Sequence, residues 1–405
     1  MGNSNSFFKT YLKLGLSILS FTLMLSCAKN GDINYSGDPQ GTVQSDGTST
    51  YAVVATGIFG SGGAHSIVSY NAPRSVLNDL LPTSDDIKIS SYGKYFYRIE
   101  GSNSHSITKF SLEAPAQPIW QFSTEGTENN SYPYEVVSLN NNKAYVIRYG
   151  SPKVWIINPS TNTESEFKIG ELDLSSYENC GDGSPDPSSA VIVGKKLFIA
   201  MQRLCWWSPS EDSYIAVFDT ETDQEINTGQ GESGLFGIKL DVRNPSKEIK
   251  YYNGYIYTAG TIYPDDLWGT PWTNYKNYSG IQKINTNTYE PDSNIIYKAT
   301  NTITSIEIIS DTKGYFVQYN AWGNNSLRSF NPQTGVVDNT NIAGIGSSSD
   351  RNINDIIRDK HNRLWISDSS LIDPGVYIVD TTTDTIEDGP IYTNLNPLEI
   401  VFCEL

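Results

Sequence analysis

The stretch GVYIVDTTTD, Gly375 to Asp384, decides the fold. Val376, Tyr377, Ile378 and Val379 are β-branched or aromatic, the composition of a strand. Asp380 and the threonines after it stop that strand, because a side-chain carboxylate accepts hydrogen bonds from the backbone just ahead of it. Nearly the same phrase returns as YIAVFDTETD (214–223), GIQKINTNT (280–288) and VWIINPSTN (154–162). Aligned on the turn, the chain holds seven copies: SIVSYN (66–71), SITKFS (106–111), KVWIIN (153–158), YIAVFD (214–219), GIQKIN (280–285), SLRSFN (326–331) and GVYIVD (375–380). Their endings are 40, 47, 61, 66, 46 and 49 residues apart. That spacing is the period of propeller blades with variable insertions.

A second strand phrase precedes each copy: TYAVVATG (50–57), KYFYRIEG (94–101), KAYVIRYG (143–150), KLFIAMQ (196–202), GYIYTAG (254–260), GYFVQYN (314–320) and RLWISDS (363–369). A third precedes that one: DIKIS (86–90), EVVSL (135–139), SAVIV (189–193), EIKYY (248–252), EIIS (307–310) and DIIR (355–358). A weaker fourth strand follows each turn, as in TESEFKI (163–169) and TIEDGPI (385–391). The third phrase has six copies where the others have seven. The missing one is LEIVF (398–402) at the far end of the chain, while the first unit starts directly at its second strand. The last strand should therefore complete the first blade and leave the ring no open edge. The reading is an all-β, seven-bladed β-propeller of four-stranded antiparallel blades over residues 51–405. A β-sandwich with a second β domain does not explain the complementary ends.

Phrases such as AVFDTETDQEI and YIVDTTTDTI resemble those of the YVTN or YncE-like propellers of bacterial surface and periplasmic proteins. NDIIRDKHNRLWIS is similar to blades of regulator-type and NHL-like propellers. The resemblance covers residues 51–405. It specifies blades rather than chemistry, because fold alone does not imply function.

The N-terminus is not part of the fold. Lys9 and Lys13 form a basic start, and LGLSILSFTLML (14–25) is an apolar run too short to span a bilayer as a helix. Met24-Leu25-Ser26-Cys27 follows and resembles the bacterial lipobox. That resemblance implies a signal peptide over 1–26, cut before Cys27, and a diacylglycerol on the Cys27 sulfur. Residues 28–49 are rich in Gly, Ser, Asn, Asp and Thr and cannot bury a core, so Cys27 and a flexible tether occupy 27–50. Ala28 follows the cysteine where an Asp would signal inner-membrane retention. The expected location is the cell envelope, anchored by lipid to the outer membrane.

The chain carries a net charge of −17, and removal of residues 1–26 takes away two lysines and no acid, leaving −19. This balance excludes nucleic acid and anionic lipid surfaces as partners. It suits a cationic ligand. Of the cysteines after Cys27, Cys180 and Cys205 flank the first two strands of blade four and are expected to pair, leaving Cys403 as a free thiol.

The long insertions fall at 170–187, 202–213, 226–247 and 260–279, at connections that share one face of a propeller. They carry Trp206, Trp207, Trp268 and Trp272, and Trp322 holds the matching place in blade six. Flat aromatic faces beside Asp and Asn suit sugar rings or cationic groups. The alternative is that these rings fold the loops onto one another. A second pattern is a carboxylate opening the inner strand: Asp86, Glu135, Glu248, Glu307, Asp355 and Glu399. Gathered at one mouth they would repel unless a cation intervenes, and oxygen-only ligands fit Ca²⁺ or Mg²⁺. Alternatively each acid anchors the next blade. His65 and His105 occupy equivalent places in HSIVSY and HSITKF, and His361 sits in a turn. The run Gly229-Gln-Gly231-Glu-Ser-Gly234 lacks the strand–helix setting that a dinucleotide loop needs. The sequence thus points to a binding module for a protein or glycan ligand, with no catalytic residues assigned. The alternative is a divalent-metal-dependent propeller enzyme, lactonase- or lyase-like.

Overall fold

The computed structural model describes residues 50–405 except 103, 128–129, 246–248, 264–270, 299–301, 322, 339–341, 343–344 and 346–350. These residues form seven antiparallel sheets, six of four strands and one of three. Blade one is Pro397–Glu404, Thr50–Ile58, Gly62–Ser69 and Val76–Thr83, in that spatial order. Blade two runs from Ile87–Tyr92 to Trp120–Ser123, and blade three from Pro133–Asn140 to Lys168–Asp173. Blade four runs from Pro187–Val193 to Ile238–Lys239. Blade five has Lys250–Tyr252, Tyr255–Gly260 and Gly280–Asn285, with isolated bridges Ile281–Ile296 and Ile284–Pro291 in place of a fourth strand. Blades six and seven start at Thr302–Ser310 and Ile353–Arg358.

The closure expected from the chain ends is present. Tyr51 pairs with Cys403, Val53 with Val401 and Ala55 with Glu399. The strand runs Pro397–Glu404, slightly longer than the LEIVF phrase. In blade three only Lys168 and Ile169 of TESEFKI are strand. Glu164–Glu166 is a helical turn, and the outer strand comes later, at Lys168–Asp173. Part of the expected insertion 170–187 is therefore strand.

The second and third strands alternate their side chains between two buried sides, which is why those phrases read as near-continuous apolar runs. Tyr51, Val53 and Ala55 pack toward Phe96 and Phe110 of blade two. Ala52 and Val54, between them in sequence, pack toward Trp365 and Val376 of blade seven. Equivalent apolar layers lie between each other adjacent pair of blades.

The repeated turn has the expected mechanism. Asp380 Oδ1 accepts from Thr382 N at 2.7 Å, Asp219 Oδ1 from Glu221 N at 2.8 Å, and Asn285 Oδ1 from Asn287 N at 2.8 Å. Because neighbouring strands are antiparallel, these turns share one face with the hairpins between inner and second strands. We call it the turn face. Inner strands begin on the other, the entry face, with the loops from second to third strand. Thr50, opening the second strand of blade one, lies on the turn face.

Candidate functional site

An inner strand has no partner on its channel side, so some of its N–H groups need acceptors from elsewhere. The acids at the entry-face mouth supply them. Glu135 Oε2 accepts from Ala190 N at 2.8 Å, joining blade three to blade four. Asp355 Oδ2 accepts from Ile400 N at 3.1 Å, and Glu399 Oε2 from Ile89 N at 2.8 Å. These bonds carry blade seven to blade one and blade one to blade two. Asp86 Oδ2 takes the N–H of Ser102 at 2.9 Å and the hydroxyl of Tyr132, in blade three, at 2.8 Å.

Glu307 departs from the expected ring. It is the sixth residue of Thr302–Ser310, so it does not open its strand. It accepts from Arg358 N at 3.1 Å and lies 3.6 Å from the Lys250 ammonium. Glu248 lies outside the described residues. The acids expected either to ring a divalent ion or to anchor the next blade, Asp86, Glu135, Glu307, Asp355 and Glu399, each accept a bond that reaches the neighbouring blade, the second of the two expectations. Among the described residues no three His, Cys, Asp or Glu side chains group to hold an ion.

The histidines are also engaged. His65 is fully buried, with Nε2 2.8 Å from Pro115 O and its ring against Phe96 and Phe110. Burial, aided by the Arg98 charge, holds its pKa down at about 3. His105 pairs through Nδ1 with Glu125. His361 packs against Tyr70.

What the channel does contain is a cavity of about 370 Å³, lined by Lys88, Ser90, Tyr134, Glu135, Ser138 and Lys250 among others. Two ammonium groups thus share it with carboxylates. The Lys88 ammonium lies 3.9 Å over the Tyr134 ring. Tyr134 in turn stacks on Tyr149 with centroids 4.7 Å apart, and Tyr132 stands 6.0 Å from Tyr134. Farther round the ring, Tyr263 meets Tyr319 edge-on at 5.8 Å. The hydroxyls of Tyr132 and Tyr149 are already committed, to Asp86 at 2.8 Å and to Gln202 Oε1 at 3.0 Å. Sequence reading missed these tyrosines and lysines. The available signal was position: Tyr132 and Tyr134 flank the start of an inner strand, and Tyr149 follows the end of a second strand.

The rim beside Tyr149 is the insertion of blade four. Cys180 and Cys205 are joined by a disulfide, and Cys403 is a buried free thiol. Directly after Cys205 come Trp206 and Trp207, 56% and 52% exposed. Cys205 N donates to Ser208 O at 2.8 Å, and Ser208 N donates back to Cys205 O at 2.9 Å. The two tryptophans are therefore the central residues of a two-residue hairpin, with φ of +50° and +70°. Positive φ at both positions is the type I′ pattern, which favours Asn-Gly rather than bulky side chains. Asp186 and Arg203, in the same disulfide-bounded region, also have positive φ. Bulky residues in this region of backbone space cost about 1 kcal/mol or more each, and such strain concentrates at functional sites.

Acids support this rim. Glu178 accepts from Cys180 N at 2.7 Å, Asp186 Oδ2 from Leu204 N at 2.8 Å, and Glu211 from Asn179 Nδ2 at 2.8 Å. Asp182 lies 3.5 Å from Trp206 N.

The other tryptophans divide. Trp272 is 2% exposed and packs with Leu204 and Ile262, so it is a piece of local core and not a ligand platform. Its indole is too large to stay exposed where two loops can close over it. Trp268 and Trp322 lie outside the described residues. Gly229 to Gly234 is loop, with no helix after it.

No protein-family model matches the sequence, and no curated protein does. Solved structures share the fold. A candidate 6-phosphogluconolactonase of Bacteroides fragilis superposes with a TM-score of 0.58 at 11% identity, covering 89% of this chain and all of that one. A Lactobacillus plantarum protein gives 0.55 at 12% identity, covering 87% of this chain and 99% of that one. At such identities the likeness establishes the propeller and nothing about its chemistry.

Proposed function

We propose that this chain is a lipid-anchored propeller of the cell envelope that binds a protein or glycan ligand on its entry face. The observation that carries the binding reading is the Trp206–Trp207 hairpin. Two large rings stay about half exposed, on backbone that disfavours them, in a hairpin bounded by a disulfide and by acids that accept the surrounding N–H groups. The lipobox-like Leu25-Ser26-Cys27 supports the anchor, and the disulfide suits an oxidising compartment. Thr50, the first described residue, opens its strand on the turn face, opposite the entry face.

Two measurements test this. Mass spectrometry of the membrane-bound protein should find diacylglycerol on Cys27, and Cys27→Ala should release the chain to the soluble fraction. The released chain should bind envelope preparations, and Trp206→Ala/Trp207→Ala should lose that binding with an unchanged melting temperature. Equal binding by the two proteins would end the entry-face reading.

A further inference from the structure

We infer that the entry-face ligand is a protein with a basic surface, whose arginine or lysine side chains meet the Trp206 indole and the carboxylates of Glu178, Asp182 and Glu211; this rests on the entry-face reading above. Trp206 is exposed, and among the described residues no cation and no other ring lies against its indole. An indole face attracts a cation more strongly than any other aromatic side chain does. The carboxylates stand at the foot of the same hairpin. Glu178 accepts from the N–H groups of Cys180, at 2.7 Å, and of Gly181. Glu211 accepts from Asn179 Nδ2 at 2.8 Å, and Asp182 Oδ2 lies 3.5 Å from Trp206 N. Cys180 is joined to Cys205, the residue before Trp206. Acids and indole are thus held together by the disulfide and these hydrogen bonds.

The protein's own cations do not answer these acids. Lys153 pairs with Asp173, Lys168 with Glu171, and Lys239 and Arg243 with Asp212. Arg203, the base nearest Trp206 in sequence, is buried and donates to Tyr177 O at 2.7 Å. Among the described residues no Lys or Arg pairs with Glu178, Asp182 or Glu211. Asp186 beside them feels the uncompensated charge: Asp182 and Glu178 both help to raise its pKa. Like charges left together favour an opposite charge from outside, and the −17 of the whole chain steers one in.

A protein fits this place better than a small cation does. Small ligands are bound by enclosure. The 370 Å³ channel cavity is lined by inner strands and includes neither tryptophan of the hairpin. Half-exposed rings on a hairpin offer a surface instead, and Trp with Arg is the pair most enriched where proteins meet. Arginine also matches the acids, because its planar fork bonds carboxylates and stacks on rings.

The test uses the full chain in a nonionic detergent and a labelled peptide that alternates glycine with arginine. A twin peptide carries citrulline for arginine, which keeps the size and drops the charge. Fluorescence anisotropy should show binding of the arginine peptide alone, weakening steeply from about 20 to about 200 mM salt. Asp182→Asn/Glu211→Gln keeps both acceptors and should weaken binding about fivefold or more, as should Trp206→Leu, with melting temperatures unchanged. Glu290→Gln/Asp311→Asn removes the same two charges from turn-face loops and should change binding less than about twofold. No binding at the lower salt, equal binding of the two peptides, or equal losses in the entry-face and turn-face variants would each overturn the inference. Envelope binding separates this from the broader reading. Binding that Trp206→Ala/Trp207→Ala abolishes, but that salt and Asp182→Asn/Glu211→Gln leave intact, keeps the entry-face module and removes the basic partner. Trp-dependent binding that survives protease treatment of the envelope removes the protein partner in the same way.

Discussion

The two faces of the propeller are built by different rules. On the turn face the same small device recurs from blade to blade. Asp219, Asn285, Asn331 and Asp380 each fold the backbone over their own side chain. Lys143 and Tyr145 of blade three grip Asp223 of the next blade, as Lys313 and Tyr315 of blade six grip Asp384. On the entry face the acids at the inner-strand mouths recur, but the loops above them do not. Among the described residues the one disulfide is in blade four, and the sequence places two tryptophans side by side only in its hairpin. Recurrence marks what a blade needs in order to close on its neighbour. What one blade carries alone is where we propose that the ligand binds.

The largest test of that division is at the closure. Deleting 397–405 removes the inner strand of blade one, including buried Ile400 and Cys403. It bares the edge of Thr50–Ile58 and takes away the acceptor for Ile89 N. The expected result is aggregation or loss of a cooperative melt. A truncated protein that melts like the intact one would contradict the shared blade.

The mouth acids come next. They look like site residues in the sequence but behave like turn-face residues in the structure. Asp355→Ala and Glu399→Ala each leave an inner-strand N–H without its acceptor, which costs about 1–3 kcal/mol where the group stays buried. Thermal melts should show this loss in both, and millimolar Ca²⁺ should leave the intact protein unchanged. A melting temperature that rises with Ca²⁺, and no longer does so in the variants, would return these acids to an ion site.

These acids also show how far the sequence could be read. Strand phrases, turn chemistry and closure were legible because each is local, or is repeated seven times. For Glu135 or Glu399 the sequence left two readings open, an ion ring or an anchor for the next blade, because the partner is a backbone amide in another blade and no residue type announces an amide. The tyrosines of the mouth were overlooked for a related reason. Tyr is ordinary in strands, and only the ring geometry brings Tyr134, Tyr149 and Lys88 together. Trp206 and Trp207 stood out by rarity, but nothing in the sequence separated them from Trp272, which the fold buries.

A smaller effect should appear at Asp186. Burial is the main cause that pushes its pKa up to about 8; Asp182 and Glu178 add to this, while the Leu204 N–H pulls it down. The folded chain therefore holds a proton there that the unfolded chain, with an ordinary value of 3.8, has released at neutral pH. Its contribution to stability is complete below about pH 4 and is lost as pH rises through about 8. Asp186→Asn should flatten that decline, by roughly 2 °C or more in melting temperature between pH 5 and 8.5. An unchanged slope would mean that the carboxyl ionises freely and the rim is more open to water than its burial implies.

The finest test sets the two faces directly against each other. Trp206→Asn/Trp207→Gly installs the residue pair that a type I′ hairpin favours and keeps the bonds between Cys205 and Ser208. On a surface designed for folding alone, nothing would be lost. Relief of left-handed strain should leave stability unchanged or raise it by up to about 1 kcal/mol, partly offset by the freedom that Gly gives the unfolded chain. Binding to envelope preparations should disappear in the same variant. Calorimetry and the binding assay on one preparation read both effects. Gained or equal stability with lost binding shows that the strain is kept for the ligand. A clear drop in stability would show instead that the two indoles, like Trp272, serve as packing for the loop that carries them.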